Sequence, residues 1–417
     1  MPLKDVVFHR SAAEYLLSRR TDPGERRILE RVLGGDGAEG SEIPLTAETD
    51  RIAPEKTGWV SADVRRVRMP MTQSRIESFV MCPFNYSCRY LMKLQPEVRA
   101  EITAPDIGTF IHSILERFFG ETDLSEMEDP AQLEKSVDGF IGEYLRELGR
   151  NSDPDGSKNA LDGRLTYLFL RLRRHVMVFV QALAEEMRQS QFRPAAFELP
   201  VGMDGGTVIA LDEDTDVLLR GVVDRVDLYD AADGKKYVRI VDYKTGSKSF
   251  SMEDIRRGIG VQLLIYLFAV RKSRLPGVKS DDLQPAGAVY FSVKPSVLSE
   301  KRMPSPEDAV EHAKNAIEKS GILLAEEELL RAMDAELSGK YAPVKSTSAG
   351  LKGMGGTVCL ETVEEFGKLQ SELESILCKI FEEMKSGNAG AEPVRIGDRN
   401  PCTWCEHRYI CKRTLQA

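Results

Sequence analysis

The run "LLRGVVDRVDLYDAADGKKYVRIVDYKTG", residues 218 to 246, constrains the fold of this chain more than any other stretch. It reads as two long strands rich in β-branched residues, joined by the turn signal "AADGK". A strand period of two puts Asp242 and Lys244 on one face and Tyr243 on the other. If the turn pairs Tyr229 with Tyr237, Asp224 lies directly opposite Asp242. Two carboxylates facing each other across a strand pair repel, so something positive must hold them. Lys244 supplies one charge, and a divalent cation would supply two more. Hard cations such as Mg²⁺ bind a few carboxylates together with waters and phosphate oxygens, which points to an open site for phosphodiester hydrolysis. The three letters "D-x-K" alone are equally the mark of a solvated salt bridge.

The elements around this hairpin follow from periodicity. "FELPVGM", "TVIAL" and "PAGAVYFSV" read as further strands, and "GIGVQLLIYLFAVRK" as a strongly apolar helix. Upstream, Thr72 or Ser74 can cap a helix carrying Ile76, Phe79 and Val80, which Cys82-Pro83 ends. "PDIGTFIHSILERFF" is a second amphipathic helix, and residues 131 to 192 are mostly helical with a break at "GRNSDPDGSKN". Helices are expected over 305–338 and 361–386, with "STSAGLKGMGG" as a flexible separator. The fold class is α/β. The expected division is an N-terminal arm or linker at 1–71 and one domain at 72–413, comprising a helical lobe (121–195), a core (196–295) and C-terminal helices with a cysteine motif (296–413).

Charge and cysteine usage narrow the function. A net charge of −9 argues against general polyanion binding, but residues 60 to 99 hold seven basic against three acidic side chains. Arg65, Arg66, Arg68 and Arg75 are the candidates there for steering a nucleic-acid backbone. The first residues lack the apolar core of a secretory signal, and "VQLLIYLFAV" is too short to cross a bilayer. No membrane role and a reducing, cytoplasmic location are expected, in which a close cysteine cluster binds metal. No G-x-x-x-x-G-K-[ST] is present, so the chain carries no P-loop motor.

"GVVDRVD", then "VDYKTG", then a helix with "QLLIY", resembles the RecB-like branch of the PD-(D/E)XK nuclease superfamily. The resemblance implies a restriction-endonuclease-like core, a mixed sheet flanked by helices. It implies Asp224 and Asp242 as Mg²⁺ (or Mn²⁺) ligands and Lys244 as the catalytic lysine. It also brings in His112 of "GTFIHSILE" as a further metal or phosphate ligand, Gln262 and Tyr266 as a Q-x-x-x-Y motif, and Glu198 as an assisting acid. Without the resemblance, His112 reads as a hydrogen-bonded core histidine, and Gln262 and Tyr266 as partners on one helix face.

Cys402, Cys405 and Cys411 are spaced C-x-x-C-x-x-x-x-x-C, three parts of a four-thiolate site that spacing alone leaves open to zinc or iron–sulfur. One subgroup of the RecB-like branch, the AddB-type C-terminal nuclease domains of bacterial helicase–nucleases, resembles the chain from about Thr72 to Arg413. That resemblance implies a [4Fe–4S] cluster completed by Cys82, with Cys88 as the competing thiol. Such a clip closes a loop of some 320 residues, at a cost of about 5 kcal/mol of chain entropy. The implied activity is Mg²⁺-dependent exonuclease action on single-stranded or duplex DNA ends in double-strand break repair, beside a helicase–nuclease partner of AddA type. The competing readings are an inert DNA-binding or scaffold module, a CRISPR-adaptation-type iron–sulfur exonuclease, and a zinc-stapled regulatory protein.

Overall fold

A computed structural model of the chain describes residues 67–94, 104–122, 129–152, 163–202, 208–272, 275, 283–293, 317–397 and 400–411. Strand β1 (Val67–Thr72) leads into helix α1 (Gln73–Met81), capped by Thr72, whose hydroxyl accepts from the Arg75 N–H. Cys82 is extended and Pro83 opens the short helix α2 (Pro83–Tyr86), continued by a wider turn at Ser87–Leu91. Helices α3 (Ala104–Glu121), α4 (Pro130–Ser152) and α5 (Gly163–Gln189) form the lobe. The central strands are β2 (Arg193–Val201), β3 (Val208–Ala210), β4 (Thr215–Asp230) and β5 (Lys236–Lys244). Helices α6 (Met252–Arg256) and α7 (Gln262–Lys272) precede β6 (Leu283–Val293) and β7 (Ile317–Leu324). Helix α8 (Glu327–Met333), strands β8 (Val344–Thr347), β9 (Gly350–Gly353) and β10 (Val358–Leu360), and helix α9 (Val363–Lys385) follow.

The main sheet runs β1-β4-β5-β6-β7-β10, with β2 and β3 also on β4, and mixes parallel and antiparallel neighbours. Strand β4 is long enough to serve two neighbourhoods. Its first half pairs with β1 and β3, and its second half with β2 and β5. The β4–β5 register is Tyr229 against Tyr237 and Arg225 against Val241, as the turn arithmetic requires. Gly234, at φ +83°, supplies the left-handed residue of that turn.

Alternation then assigns the two faces. Val238 and Ile240 of β5 join the larger core with α7 and α9, whereas Val241 and Tyr243 pack with Phe291 against the α3–α5 lobe. Helix α9 begins in a capping box between Thr362 and Glu365 and buries Phe366, Leu373, Leu377 and Phe381 in the larger core.

Two expectations are corrected. Within 305–338, residues 305–316 lie outside the described residues, and Ile317–Leu324 is a strand rather than a helix. It lies between β6 and β10, where a Cβ on Gly321 would come within 2.0 Å of the Ala288 carbonyl oxygen. Close buried strand pairing there overrides the helical propensity of an Ala- and Glu-rich stretch. The segment "STSAGLKGMGG" is not a loose separator: Val344–Thr347 and Gly350–Gly353 form an antiparallel hairpin, with Gly350 at φ +108°. Among the described residues the sheet starts with Val67.

Candidate active site

Asp224 sits where β4 parts from β5. The ladder ends at Arg225 and Val241, so Asp224 and Asp242, one step further on, occupy the same sheet face. In place of a strand partner, the Tyr243 N–H donates to Asp224 Oδ2 at 2.7 Å. Helix α3 brings His112 to the same residue from its other side: its Nε2 lies 3.1 Å from the Tyr243 carbonyl oxygen. A carbonyl only accepts, so Nε2 carries the proton and the neutral ring leaves Nδ1 bare. Nδ1 faces Asp224 Oδ1 at 3.5 Å and Glu198 Oε1 at 3.6 Å. Among the described residues, His112, Glu198 and Asp224 are the one group of three whose ligand atoms all lie within 4.8 Å of one another. Three acceptors aimed at one point need a proton or a cation between them.

Asp242 completes the picture from β5. It is fully buried, and among the described residues only the Lys244 ammonium, which ion-pairs with Oδ2, offers its carboxylate a donor. The ammonium also lies 5.8 Å from the centre of the Tyr290 ring. Burial and the neighbouring Asp242 charge push Asp224 up to about 7, and burial raises Asp242 as well, against the pull of Lys244. For His112, burial disfavours the imidazolium, but the Glu198 contact and the Asp224 charge outweigh it and raise the pKa. Both acids thus resist ionising without positive charge nearby.

Gln262 and Tyr266 stand one turn apart on α7, and the amide donates to the phenol oxygen at 3.2 Å. Burial pushes the Tyr266 hydroxyl up to about 12, so it keeps its proton. Its ring lies over Gly221, where a Cβ would come within 2.4 Å of it, which explains the glycine of "GVVDRVD".

A family model described as the PD-(D/E)XK nuclease superfamily matches residues 70–412. The chain belongs to this superfamily. Among curated proteins similar to it is an ATP-dependent helicase/deoxyribonuclease subunit of Clostridium acetobutylicum, 28% identical over 386 residues, and its namesake in Clostridium novyi is 29% identical over 377. Each alignment covers 89% of this chain and 32% of the relative. The protein of the same name from Acetivibrio thermocellus is 29% identical over 346 residues, 81% of this chain and 30% of the relative. The chain thus spans about a third of the length of these relatives. The AddB-type resemblance read from the sequence agrees with both findings: a PD-(D/E)XK domain, and relatives named as parts of helicase–deoxyribonucleases.

Away from the acids, four of the cysteines gather at one place. Cys82, Cys402, Cys405 and Cys411 line one cavity of about 160 Å³, although Cys82 and Cys405 are 323 positions apart in the sequence. The Phe84 N–H donates to the Gly390 carbonyl at 3.0 Å and the Val394 N–H to the Met81 carbonyl at 3.0 Å. His407 Nδ1 lies 2.9 Å from Asn85 Oδ1. Cys88 is buried and does not line that cavity. Burial pushes the Cys82 thiol up to about 11, against backbone hydrogen bonds from Asn85 and Phe84.

The basic candidates separate. Arg65 and Arg66 lie outside the described residues. Arg68 is exposed, 3.9 Å from Asp216. Arg75 turns back to the Pro70 carbonyl at 3.1 Å and stacks over Tyr90. No described helix is long and apolar enough to cross a membrane. The family resemblance brings in Glu198 only as an assisting acid, and strand alternation turns the Tyr243 side chain away from Asp242 and Lys244. The signal for Glu198 is conformational, a φ of +42° in a non-glycine strand residue, which no residue pattern displays.

Proposed function

We propose that the protein is a divalent-cation-dependent deoxyribonuclease acting on DNA ends. The observation that carries this reading is the convergence of His112 Nδ1, Glu198 Oε1 and Asp224 Oδ1 beside the buried carboxylate of Asp242, whose Oδ1 has no donor. That donor set, one imidazole and three carboxylates, fits Mg²⁺ or Mn²⁺. When bound, the cation supplies Lewis-acid polarisation of a phosphate oxygen and acidifies a water.

The chain's own residues do the rest. The Tyr243 N–H holds Asp224 Oδ2 and so turns Oδ1 toward the shared point. Lys244, ion-paired with Asp242, places its positive charge where negative charge grows on the phosphate in the transition state. Gln262 and Tyr266, next to the acids, offer neutral donors to a phosphate or base edge without competing for the cation. Arg68, exposed on the first strand, contacts the backbone of the entering strand.

The four cysteines fit a [4Fe–4S] cluster. They line a common cavity, and backbone hydrogen bonding at Cys82 works against its burial to favour the thiolate, the form that binds iron. The cluster is structural and fastens the tail to the start of the domain. By analogy with the named relatives, the chain works with a helicase-bearing AddA-type subunit in double-strand break repair in the cytoplasm, removing nucleotides from single strands.

Asp242→Ala tests the assignment. It should abolish Mg²⁺-dependent degradation of linear DNA while leaving the thermal midpoint unchanged or higher, because a buried carboxylate short of donors is removed. Retention of parental nuclease activity by this variant would sink the role given to Asp242.

A further inference from the structure

Directly behind the acids, on the sheet face covered by the lobe, five charged side chains are shut away from water: Glu186, Arg225, Asp227, Arg239 and Lys319. They come from α5, β4, β5 and β7 and interlock. Arg225 Nη2 donates to Glu186 Oε1 at 3.2 Å and to Asp227 Oδ2 at 3.0 Å. Arg239 Nη2 reaches the same two oxygens at 2.8 and 2.6 Å, and Lys319 Nζ holds Glu186 Oε2 at 2.7 Å. Taking five charges out of water is expensive, and well-packed apolar side chains in their place are often as stable or more so. Their purpose is therefore sought in what they hold.

One bond leaves the cluster toward the site. Arg225 Nη1 donates to the Tyr243 hydroxyl at 3.0 Å. The Tyr243 ring is buried and set edge-on to His112, Phe179 and Phe291. Its backbone N–H donates to Asp224 and its carbonyl accepts from His112, so the two peptide units that flank this one residue hold both side chains. A shift of Tyr243 moves two of the three converging atoms at once.

We infer that Arg225, acting through the Tyr243 hydroxyl, and the four charges that lock Arg225 are positioning residues: they fix the Tyr243 backbone, whose N–H and carbonyl present Asp224 and His112 to a shared divalent cation. This rests on the proposal that those two residues bind one cation. None of the five touches the cation or the substrate. They determine how well the ligands are placed before the cation arrives, and outer partners of this kind commonly change metal affinity by about 10-fold or more.

The test is Mn²⁺ binding followed by titration calorimetry on the full chain, alongside thermal unfolding. Tyr243→Phe keeps the ring and removes only the acceptor of Arg225. It should weaken Mn²⁺ binding about 10-fold. Tyr237→Phe makes the same chemical change at a buried site on the same strand and should leave Mn²⁺ affinity at the parental value. Parental affinity in Tyr243→Phe, or equal weakening in Tyr237→Phe, overturns the inference. Asp224→Asn separates it from the reading beneath. If Asp224→Asn weakens binding and Tyr243→Phe does not, the positioning role alone fails. If Asp224→Asn has no effect, the shared cation fails and the inference with it.

Discussion

At the scale of single residues, the site is a set of groups each held in an uncomfortable state. Asp224 has a raised pKa because it is buried and faces Asp242, and His112 is raised because Glu198 and Asp224 outweigh its burial. In both cases the folded protein binds a proton that the unfolded chain releases earlier. The stability this gives is complete below the ordinary values of 3.8 and 6.5 and is lost as pH rises through the folded ones. In chelator, the thermal midpoint should therefore fall between about pH 5 and about pH 8, and saturating Mn²⁺ should flatten the curve. A midpoint that climbs steadily over that range in chelator would contradict the assignment. Gly221→Ala tests the contact beside the acids: its new Cβ meets the Tyr266 ring at 2.4 Å. Denaturant unfolding should show a loss of about 1–3 kcal/mol, and nuclease activity should drop with the displaced hydroxyl. Asp224, Asp242 and Lys244 were legible because strand alternation and one turn place all three. The cluster of Glu186, Arg225, Asp227, Arg239 and Lys319 was not, because its members come from four elements. A trace was present: "DRVD" puts charge on both faces of an otherwise apolar strand, which a buried strand tolerates only when each charge is paired.

At the scale of elements, β4 and β5 hold the arrangement, and their register followed from the turn "AADGK" alone. Strand β7 did not follow from its own sequence, since what makes it a strand is the pair of neighbours it lies between. Strand β2 carries the opposite lesson. Phe197 and Leu199 pair with Arg225 and Val223, yet Glu198 between them is left-handed at φ +42°. A side chain in that region costs about 1–2 kcal/mol, and here the twist aims a carboxylate at His112. Glu198→Gly should raise the thermal midpoint and weaken Mn²⁺ binding in the same protein. A variant that is destabilised, or that binds Mn²⁺ as the parent does, would show the strain to be unconnected with the site.

At the scale of the molecule, the chain is fastened where its cysteines gather. The spacing of Cys402, Cys405 and Cys411 leaves open where a fourth thiol would come from; the proposed cluster takes it from Cys82, which lines the same cavity. Cys405→Ser should remove broad visible absorption from the purified protein and open the segment beyond about residue 390 to limited proteolysis, while the sheet stays folded. Colourless parental protein containing zinc would replace the iron–sulfur cluster with a single ion. The hydrogen bonds from Phe84 to Gly390 and from Val394 to Met81 carry a consequence for synthesis. A growing polypeptide can lay down β4 and β5 as soon as their hairpin has left the ribosome, because those partners are neighbours in the chain. Helix α1 must wait some three hundred residues for the segment that covers it. A product truncated before residue 390 is thus born with its front door unlatched, and quality-control proteases have a defined place to begin.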